Sequence, residues 1–375
     1  MKIEFYRHNL EKEDIEKACE VLRSTFLTTG EVTREFEEKF ARLTGLDHAV
    51  GITSCTAALH LSLLALGIGP GDEVITTPMT FLATATSILH AGARPVFVDV
   101  EPNTGLIDPE RIEKAITSRT KAILPVHLYG VMADMRAIAA IAQKRGLKII
   151  EDCAHCIEGE RDGVRPGQLA DAACYSFYAT KNLTSGEGGA VATRDTKLAG
   201  KIRMLRLHGM SKDAISRYHS KFKHWDMEML GWKYNMDNIH ASLLVRQMER
   251  LQGYWQRRRD IAQMYRKHWK GSADIELPEI RGKSAYHLQT VWLDASVRDR
   301  AIDKLQEEGI GVAVNYRALH TLRYFRETFG FKPVDFPNAL AIGERTVTLP
   351  LYPKLKDEEV RCVIESLKGV FASLS

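Results

Sequence analysis

The sequence predicts an α/β fold: a three-layer αβα arrangement around a mostly parallel sheet, followed by a smaller C-terminal αβ domain. Three observations lead there. Short β-branched runs alternate with helical runs from residue 48 onward, Gly and Pro punctuate the junctions, and 375 residues allow a large core and a second domain.

The elements follow in order. "HAVGIT" leads into "TAALHLSLLALG", "DEVITT" into "FLATATSILHAG", "PVFVDV" into "DPERIEKAI", and "KAILPVH" into "ADMRAIAAIAQKRG", after which comes "LKIIED". Each first member is a short apolar run of strand length, and each second member is longer, so strand-helix units in succession argue for a parallel sheet covered on both faces. Two further strand candidates, "AACYSFYA" and "GAVATR", precede a helix from about Thr196 to His208. The stretch "GMSKDAISRYHSKFKHWDMEMLGWKYN" has no clean period and mixes charges with Trp, Tyr and Met, so it reads as a long functional loop. A helical pattern from about Asp237 to Lys267 follows. Past about residue 275, "HLQTVWLD", "RDRAIDKLQEEG", "IGVAVNY", "RTVTLPLY" and "DEEVRCVIESLKGVFASL" describe the smaller domain. The expected division is a large domain over 1–250, with an N-terminal arm over 1–30, and a linking helix with the small domain over 251–375.

Composition narrows the function. The chain is 45% hydrophobic and 27% charged, as a globular protein should be, and "MKIEFYRHNLEKED" carries acids early with no apolar signal core. No window approaches eighteen uncharged apolar residues. A cytoplasmic protein without a membrane partner is therefore expected. Six cysteines, Cys19, Cys55, Cys153, Cys156, Cys174 and Cys362, are scattered and read as reduced thiols. The C-x-x-C in "EDCAHC" lacks a second ligand pair for zinc and a small βαβ domain for thioredoxin-like chemistry, so no metal is expected. The net charge of +4 is modest, and the densest basic run, "RRRD" at 257–260, falls in a helical pattern and reads as a solvated face. No nucleic-acid footprint is visible.

A sheet of this kind presents its ligand at the carboxyl ends of its strands. A dinucleotide is the first candidate, yet no strand is followed by G-x-G-x-x-G, which weighs against a nucleotide-binding oxidoreductase. "TSCTAALH" follows the first strand instead. Its small and hydroxyl residues open a helix whose N-terminus favours an anion, although Ser54 and Thr56 alone would more often be plain caps. Asp152 ends the apolar strand "LKIIE", where a carboxylate either caps the next turn or meets a cation. A protonated pyridine nitrogen would serve. Lys181 closes the aromatic run "CYSFYATK" ahead of a glycine-rich bend carrying one acid, Glu187. It is either a surface charge at a strand end or an amine placed for chemistry. Desolvated, such an amine attacks an aldehyde carbon to form a Schiff base, and Gly186, Gly188 and Gly189 would let backbone pass beneath a flat ring. Phosphate anchor, pyridinium acid and Schiff-base lysine occur in the order expected of one pyridoxal 5′-phosphate site.

The blocks "TAALHLSLLALGIGPGDEVITTPMTFLATA", "PVFVDVEPNTGLIDPERIEKAIT", "KAILPVHLYGVMADM", "IIEDCAH", "YSFYATKNLTSGEGGAV" and "LGWKYNMDNIHASL" resemble the DegT-type sugar-nucleotide aminotransferases over nearly the whole chain. The resemblance implies fold-type I and a pyridoxal-phosphate-dependent transaminase moving an amino group from L-glutamate to a keto carbon of a nucleotide-linked sugar, for polysaccharide or lipid A-type glycan biosynthesis. "NYRALHTLRYFRETFGF" and His155 most resemble the branch that makes UDP-4-amino-4-deoxy-L-arabinose from a 4-keto pentose, which implies C4 as the aminated carbon. A 3-keto sugar nucleotide or a cyclitol ketone is the alternative acceptor. Many relatives carry Gln at position 155 and Ala or Gly at positions 55 and 153, which blurs the sugar rather than the cofactor chemistry.

Residue by residue, the resemblance implies that Lys181 binds the cofactor and shuttles protons between the carbons being transaminated. Asp152 would pair with the pyridine nitrogen, Phe81 would stack on one ring face, and His155 would lie near the ring's hydroxyl side. Thr56, Ala57 and Ser176 would hold the phosphate. Asn235, in "GWKYN", matches a residue that reaches the phosphate of the neighbouring subunit's cofactor, so a homodimer with shared active sites is expected. Substrate selection would fall to the loop at 210–235, to the N-terminal segment near Arg7 and Thr29, and to Tyr316 through His320, with Tyr316 and His320 singled out. Arg7, Lys212, Lys221, Lys223 and Arg317 would offer charge to a diphosphate.

Overall fold

The computed structural model describes residues 2–211 and 224–372. Seven strands form one sheet: β1 (His48–Ile52), β2 (Glu73–Thr76), β3 (Arg94–Phe97), β4 (Thr120–Ile123), β5 (Lys148–Asp152), β6 (Ala172–Ser176) and β7 (Gly189–Thr193). Their spatial order is β1-β7-β6-β5-β4-β2-β3. Among them β7 runs against both neighbours, and the remaining pairs are parallel. Chain order is therefore not spatial order. The chain leaves β1 at one edge and crosses beneath the strands that it will add later.

The residues explain the layers. The strands are mostly buried on both faces, which requires helices above and below. The helix after β1, "CTAALHLSLLA" (Cys55–Ala65), is apolar nearly all round and packs on β5, β6 and β7, with helices Leu82–His90 and Thr196–Leu205 beside it. On the opposite face Phe36 and Phe40 of helix Glu31–Thr44 meet Tyr175 and Phe177 edge to face, with ring centroids 5.0–5.4 Å apart. Among the described residues no helix is long and apolar enough to cross a membrane.

Some boundaries differ from the sequence pattern for local reasons. The helix expected to run from Thr196 to His208 closes at Leu205, because His208 and Gly209 take left-handed φ values of 59° and 72°. The pattern from Asp237 to Lys267 is two helices, Asn238–Val245 and Gln247–Trp269, joined at Arg246. The longer one places Met248 and Leu251 in the core of the large sheet and Ile261, Tyr265 and Trp269 in a second core. That second core is closed by helices Ala295–Glu307 and Asp357–Ala372 around the antiparallel pair β8 (Gln289–Trp292) and β9 (Thr346–Leu349). "IGVAVNY" forms isolated bridges instead of a regular strand, Ile310 to Ile3 and Ala313 to Thr348. Ile3 itself belongs to the second core, although the large domain follows it in the chain.

This topology brings distant residues to one edge. Asp152 and Ser176 end β5 and β6, Ile52 ends β1, and β7 begins at the same place because Gly189 is in register with both Ser176 and Ile52. The reversal of β7 turns residues 177–188 into a bend lying across the strand ends.

Candidate active site

A cavity of about 520 Å³ opens at that edge, lined by Thr56, Asp152, His155, Ser176, Lys181 and Tyr316 among others. Asp152 is 5% exposed. The Thr84 hydroxyl (2.8 Å) and the Ala154 N–H (3.1 Å) both donate to its carboxylate, which a charged group so stripped of water requires. The Cys55 thiol lies 3.9 Å from the same carboxylate, and burial pushes that thiol's pKa well up, so it stays protonated.

The bend explains the placement of Lys181. The Lys181 N–H donates to Tyr178 O (2.9 Å), Ser185 N–H to Phe177 O (3.0 Å), and Phe177 N–H to Gly188 O (2.8 Å), so the segment folds back on itself over the strand ends. At Gly189 a Cβ would stand 2.4 Å from the carbonyl carbon of Ser54. A side chain there would lift the bend off the helix start. Lys181 is partly buried in the cavity wall. Burial lowers its pKa from 10.5 to about 8, against the opposing pull of Cys55 and Asp152, so a free amine is within reach near neutral pH.

His155 is buried beside it. The Tyr129 N–H donates to His155 Nδ1 (3.3 Å), which puts the ring proton on Nε2, and Nε2 donates to the Tyr316 hydroxyl (3.0 Å). Burial, then the nearby Lys181, hold the His155 pKa well below the usual range, so the ring is neutral. A second buried imidazole, His287, lies 4.5 Å away centroid to centroid. Its Nδ1 donates to Asn182 Oδ1 (3.2 Å), and the Asn182 amide donates to both oxygens of buried Glu158 (3.1 Å each) and to Ala285 O (3.0 Å). The residue following Lys181 is thus tied to the segment that leads into β8. On the other side of β5, His127 Nε2 meets Glu151 (2.9 Å), which also accepts from Gly167 N–H (2.8 Å), with the Cys153 thiol 3.7 Å away. The Ala133 N–H donates to His127 Nδ1 (3.2 Å), so this buried trio braces the strand that ends in Asp152.

Of the residues singled out from sequence, Thr56, Phe81, Asp152, His155, Ser176, Lys181 and Tyr316 line the one cavity. Phe81 is 54% exposed at its rim, 5.8 Å from the Tyr316 ring. Ala57 is the buried third residue of the helix, and its N–H is taken by Ser54 Oγ (3.1 Å), so Ser54 is a helix cap. Asn235 lies outside the lining, bonded to Thr29 Oγ1 (2.6 Å) and Lys233 Nζ (2.5 Å). His320 is fully buried, its Nε2 donates to Pro333 O (2.9 Å) and its ring packs on Phe336, away from the cavity. Arg7 pairs with Glu359 (3.2 Å), and Arg317 borders a separate hollow with Arg298 and Arg326. Lys212, Lys221 and Lys223 lie outside the described residues. Sequence reasoning missed Phe5, Thr84, Asn182, His287 and Asn315. Asn182 adjoins Lys181 and Asn315 adjoins Tyr316, but nothing local marks the others.

The model of the DegT/DnrJ/EryC1/StrS aminotransferase family matches residues 8–368. The chain is 44% identical over 367 residues to the spore coat polysaccharide biosynthesis protein SpsC of Bacillus subtilis, covering 96% of this chain and 94% of that one. Among solved structures it superposes on Spr1654 of Streptococcus pneumoniae, described as a sugar aminotransferase and solved in its PMP form. The TM-score is 0.94 at 33% identity, covering 100% of both chains. It also matches PseC of Helicobacter pylori, an aminotransferase involved in the biosynthesis of pseudoaminic acid, with a TM-score of 0.93, 28% identity and 100% of both chains covered.

Proposed function

Because this chain belongs to the DegT/DnrJ/EryC1/StrS aminotransferase family, we propose that it moves the amino group of L-glutamate to C4 of a UDP-linked 4-keto sugar. It is a sugar aminotransferase of fold-type I that uses pyridoxal 5′-phosphate. The observation that carries the residue assignments is the meeting of Lys181 and Asp152 in one cavity, an amine with a pKa of about 8 and a buried carboxylate held by neutral donors.

The donor set suits the cofactor. A flat ring needs close backbone, and Gly189 leaves no space for even a methyl group between the bend and Ser54. When bound, the cofactor supplies a carbonyl with which amines condense and a conjugated ring that draws electron density from the neighbouring C–H bond. Lys181 Nζ would carry a proton between the two carbons that flank the transferred nitrogen, a task that suits a base whose pKa lies near the working pH. Asp152 holds a proton at the ring nitrogen, and Thr84 and Ala154 keep its carboxylate turned to that task. His155 stays neutral and donates a hydrogen bond from its Nε2–H to the Tyr316 hydroxyl, so it orients without competing for the proton. Phe81 would cover one ring face, and the hydroxyls of Thr56 and Ser176 would receive the phosphate at the N-terminus of helix Cys55–Ala65. Ala57 can join them once Ser54 releases its N–H.

Asn235 is assigned to the partner's phosphate, because in its own chain it stands outside the cavity lining. The active unit is then a homodimer, acting in the cytoplasm, with the cofactor carried by a large domain over 1–250 and the substrate side closed by 251–375. The acceptor reading rests on "NYRALHTLRYFRETF" with Tyr316 on the cavity wall. The role named for SpsC supports a pathway to a surface polysaccharide. The test is direct. L-Glutamate alone should bleach the visible absorbance of the yellow protein, a UDP-linked 4-keto sugar should restore it, and mass spectrometry should show the keto group replaced by an amine. Robust turnover of aspartate with oxaloacetate, and none with any UDP-linked 4-keto sugar, would overturn the acceptor.

A further inference from the structure

The cavity receives a wall from the far end of the chain. Ile3 N–H donates to Gly309 O (2.9 Å), Gly311 N–H donates to Ile3 O (2.8 Å), and the Ile3 side chain is 1% exposed in the small-domain core. Arg7 fastens the other side of the same stretch, through Glu359 at 3.2 Å and across the ring of Tyr352 at 5.8 Å. Between these anchors Phe5, half-buried, lines the cavity beside Asn315 and Tyr316. A Cβ on Gly311 would stand 2.5 Å from the Phe5 nitrogen and 3.1 Å from its Cα. The glycine is therefore the seat on which this backbone rests.

Phe5, Asn315 and Tyr316 form one wall of the cavity, while Lys181, Asp152 and Ser176 stand at the sheet edge across from it. A cofactor held at the sheet edge would have its substrate between the two. We propose that Phe5 is a specificity-determining residue whose ring packs against the apolar C–H face of the sugar acceptor, an inference that rests on the sugar aminotransferase reading of the site. A sugar carries polar edges and a C–H face, and an aromatic ring that offers no hydrogen bond selects the face. Glutamate gains little from such a surface, because its handles are two carboxylates and an ammonium group. The arm, and not the sequence around the lysine, then helps to discriminate a sugar from an amino acid.

The experiment uses the full-length holoenzyme with L-glutamate and three acceptors: a UDP-linked 4-keto pentose, a UDP-linked 4-keto hexose and a dTDP-linked 3-keto hexose. Kinetics follow the acceptor that the wild type uses best. Phe5→Ala should raise the acceptor KM about fivefold, leaving the glutamate half-reaction and cofactor content unchanged. Phe5→Tyr should restore the wild-type KM. Gly311→Ala, which displaces the arm with Phe5 still present, should reproduce the Phe5→Ala result, and Phe5→Leu with a thermal melt tells a folding defect apart from removal of the aromatic face. An unaltered acceptor KM in Phe5→Ala, or equal losses in both half-reactions, overturns the inference while the site reading stands. A wild type that reacts with glutamate but aminates none of the three acceptors overturns both.

Discussion

At Lys181 desolvation is the deciding physical effect. The amine sits where burial brings its deprotonation from 10.5 down to about 8, and only the unprotonated form attacks a carbonyl. The rate at which the apoprotein captures pyridoxal phosphate should therefore rise with pH through a midpoint near 8 and level off above about 9, followed by stopped-flow absorbance. A midpoint near 10 would mean a solvated amine and would remove this account of its reactivity. Borohydride trapping and peptide mapping should place the pyridoxyl mass on Lys181, and Lys181→Ala should lose it. Asp152 is argued separately. Asp152→Asn keeps an acceptor oxygen for the Ala154 N–H and turns an NH2 donor toward the Thr84 hydroxyl, while it removes the charge that would hold the ring proton, and each pKa unit of that coupling is worth about 1.4 kcal/mol. Turnover should fall by about a hundredfold or more with little change in the melting temperature; a near-wild-type rate would exclude Asp152 from this role.

Among the elements, the bend between β6 and β7 does most to set the site. Its glycines are not equivalent. Gly186 has a φ of 80° but open space around the position of a Cβ, whereas at Gly189 the Cβ would meet Ser54 at 2.4 Å. Gly186→Ala should cost about 1–2 kcal/mol of backbone strain in urea unfolding and keep its cofactor. Gly189→Ala should cost about 1–3 kcal/mol from overpacking and also weaken cofactor binding, because the bend must rise from the helix start. Cofactor binding as tight as wild type in Gly189→Ala would show that the close approach is unnecessary. The cluster "SGEGG" is legible in the sequence as a bend, but the contact that makes one of its glycines obligatory is with a residue 135 positions earlier, Ser54.

For the whole molecule the question is how many chains complete a site. Asn235 makes hydrogen bonds to Thr29 and Lys233 beside β1 and does not line its own cavity. If it serves the partner, Lys181→Ala and Asn235→Ala chains are each inactive alone. After subunit exchange a mixed dimer holds one site with both lesions and one with neither. Random exchange should then return about a quarter of wild-type activity, half of the dimers being mixed with one good site each. No recovery after exchange verified by native mass spectrometry would assign Asn235 to its own chain.

The alternation of strand and helix, and the placement of Asp152 and Lys181 at one edge of the sheet, were readable from the chain alone. Each depends on the period of apolar residues and on which residue ends a run, and those are local properties. The reversal of β7, the break at Arg246 and the irregular course of "IGVAVNY" were not readable, because they follow from which segment lies beside them. The same holds for partners. Thr84 under Asp152, His287 beside His155, and Phe5 on the cavity wall come from distant parts of the sequence, and His320, conspicuous in its motif, turns inward to Pro333. The lowered pKa of Lys181 belongs to the tertiary structure for the same reason. A sequence records which side of its own element a residue takes, whereas desolvation is set by whatever the rest of the chain packs against that side.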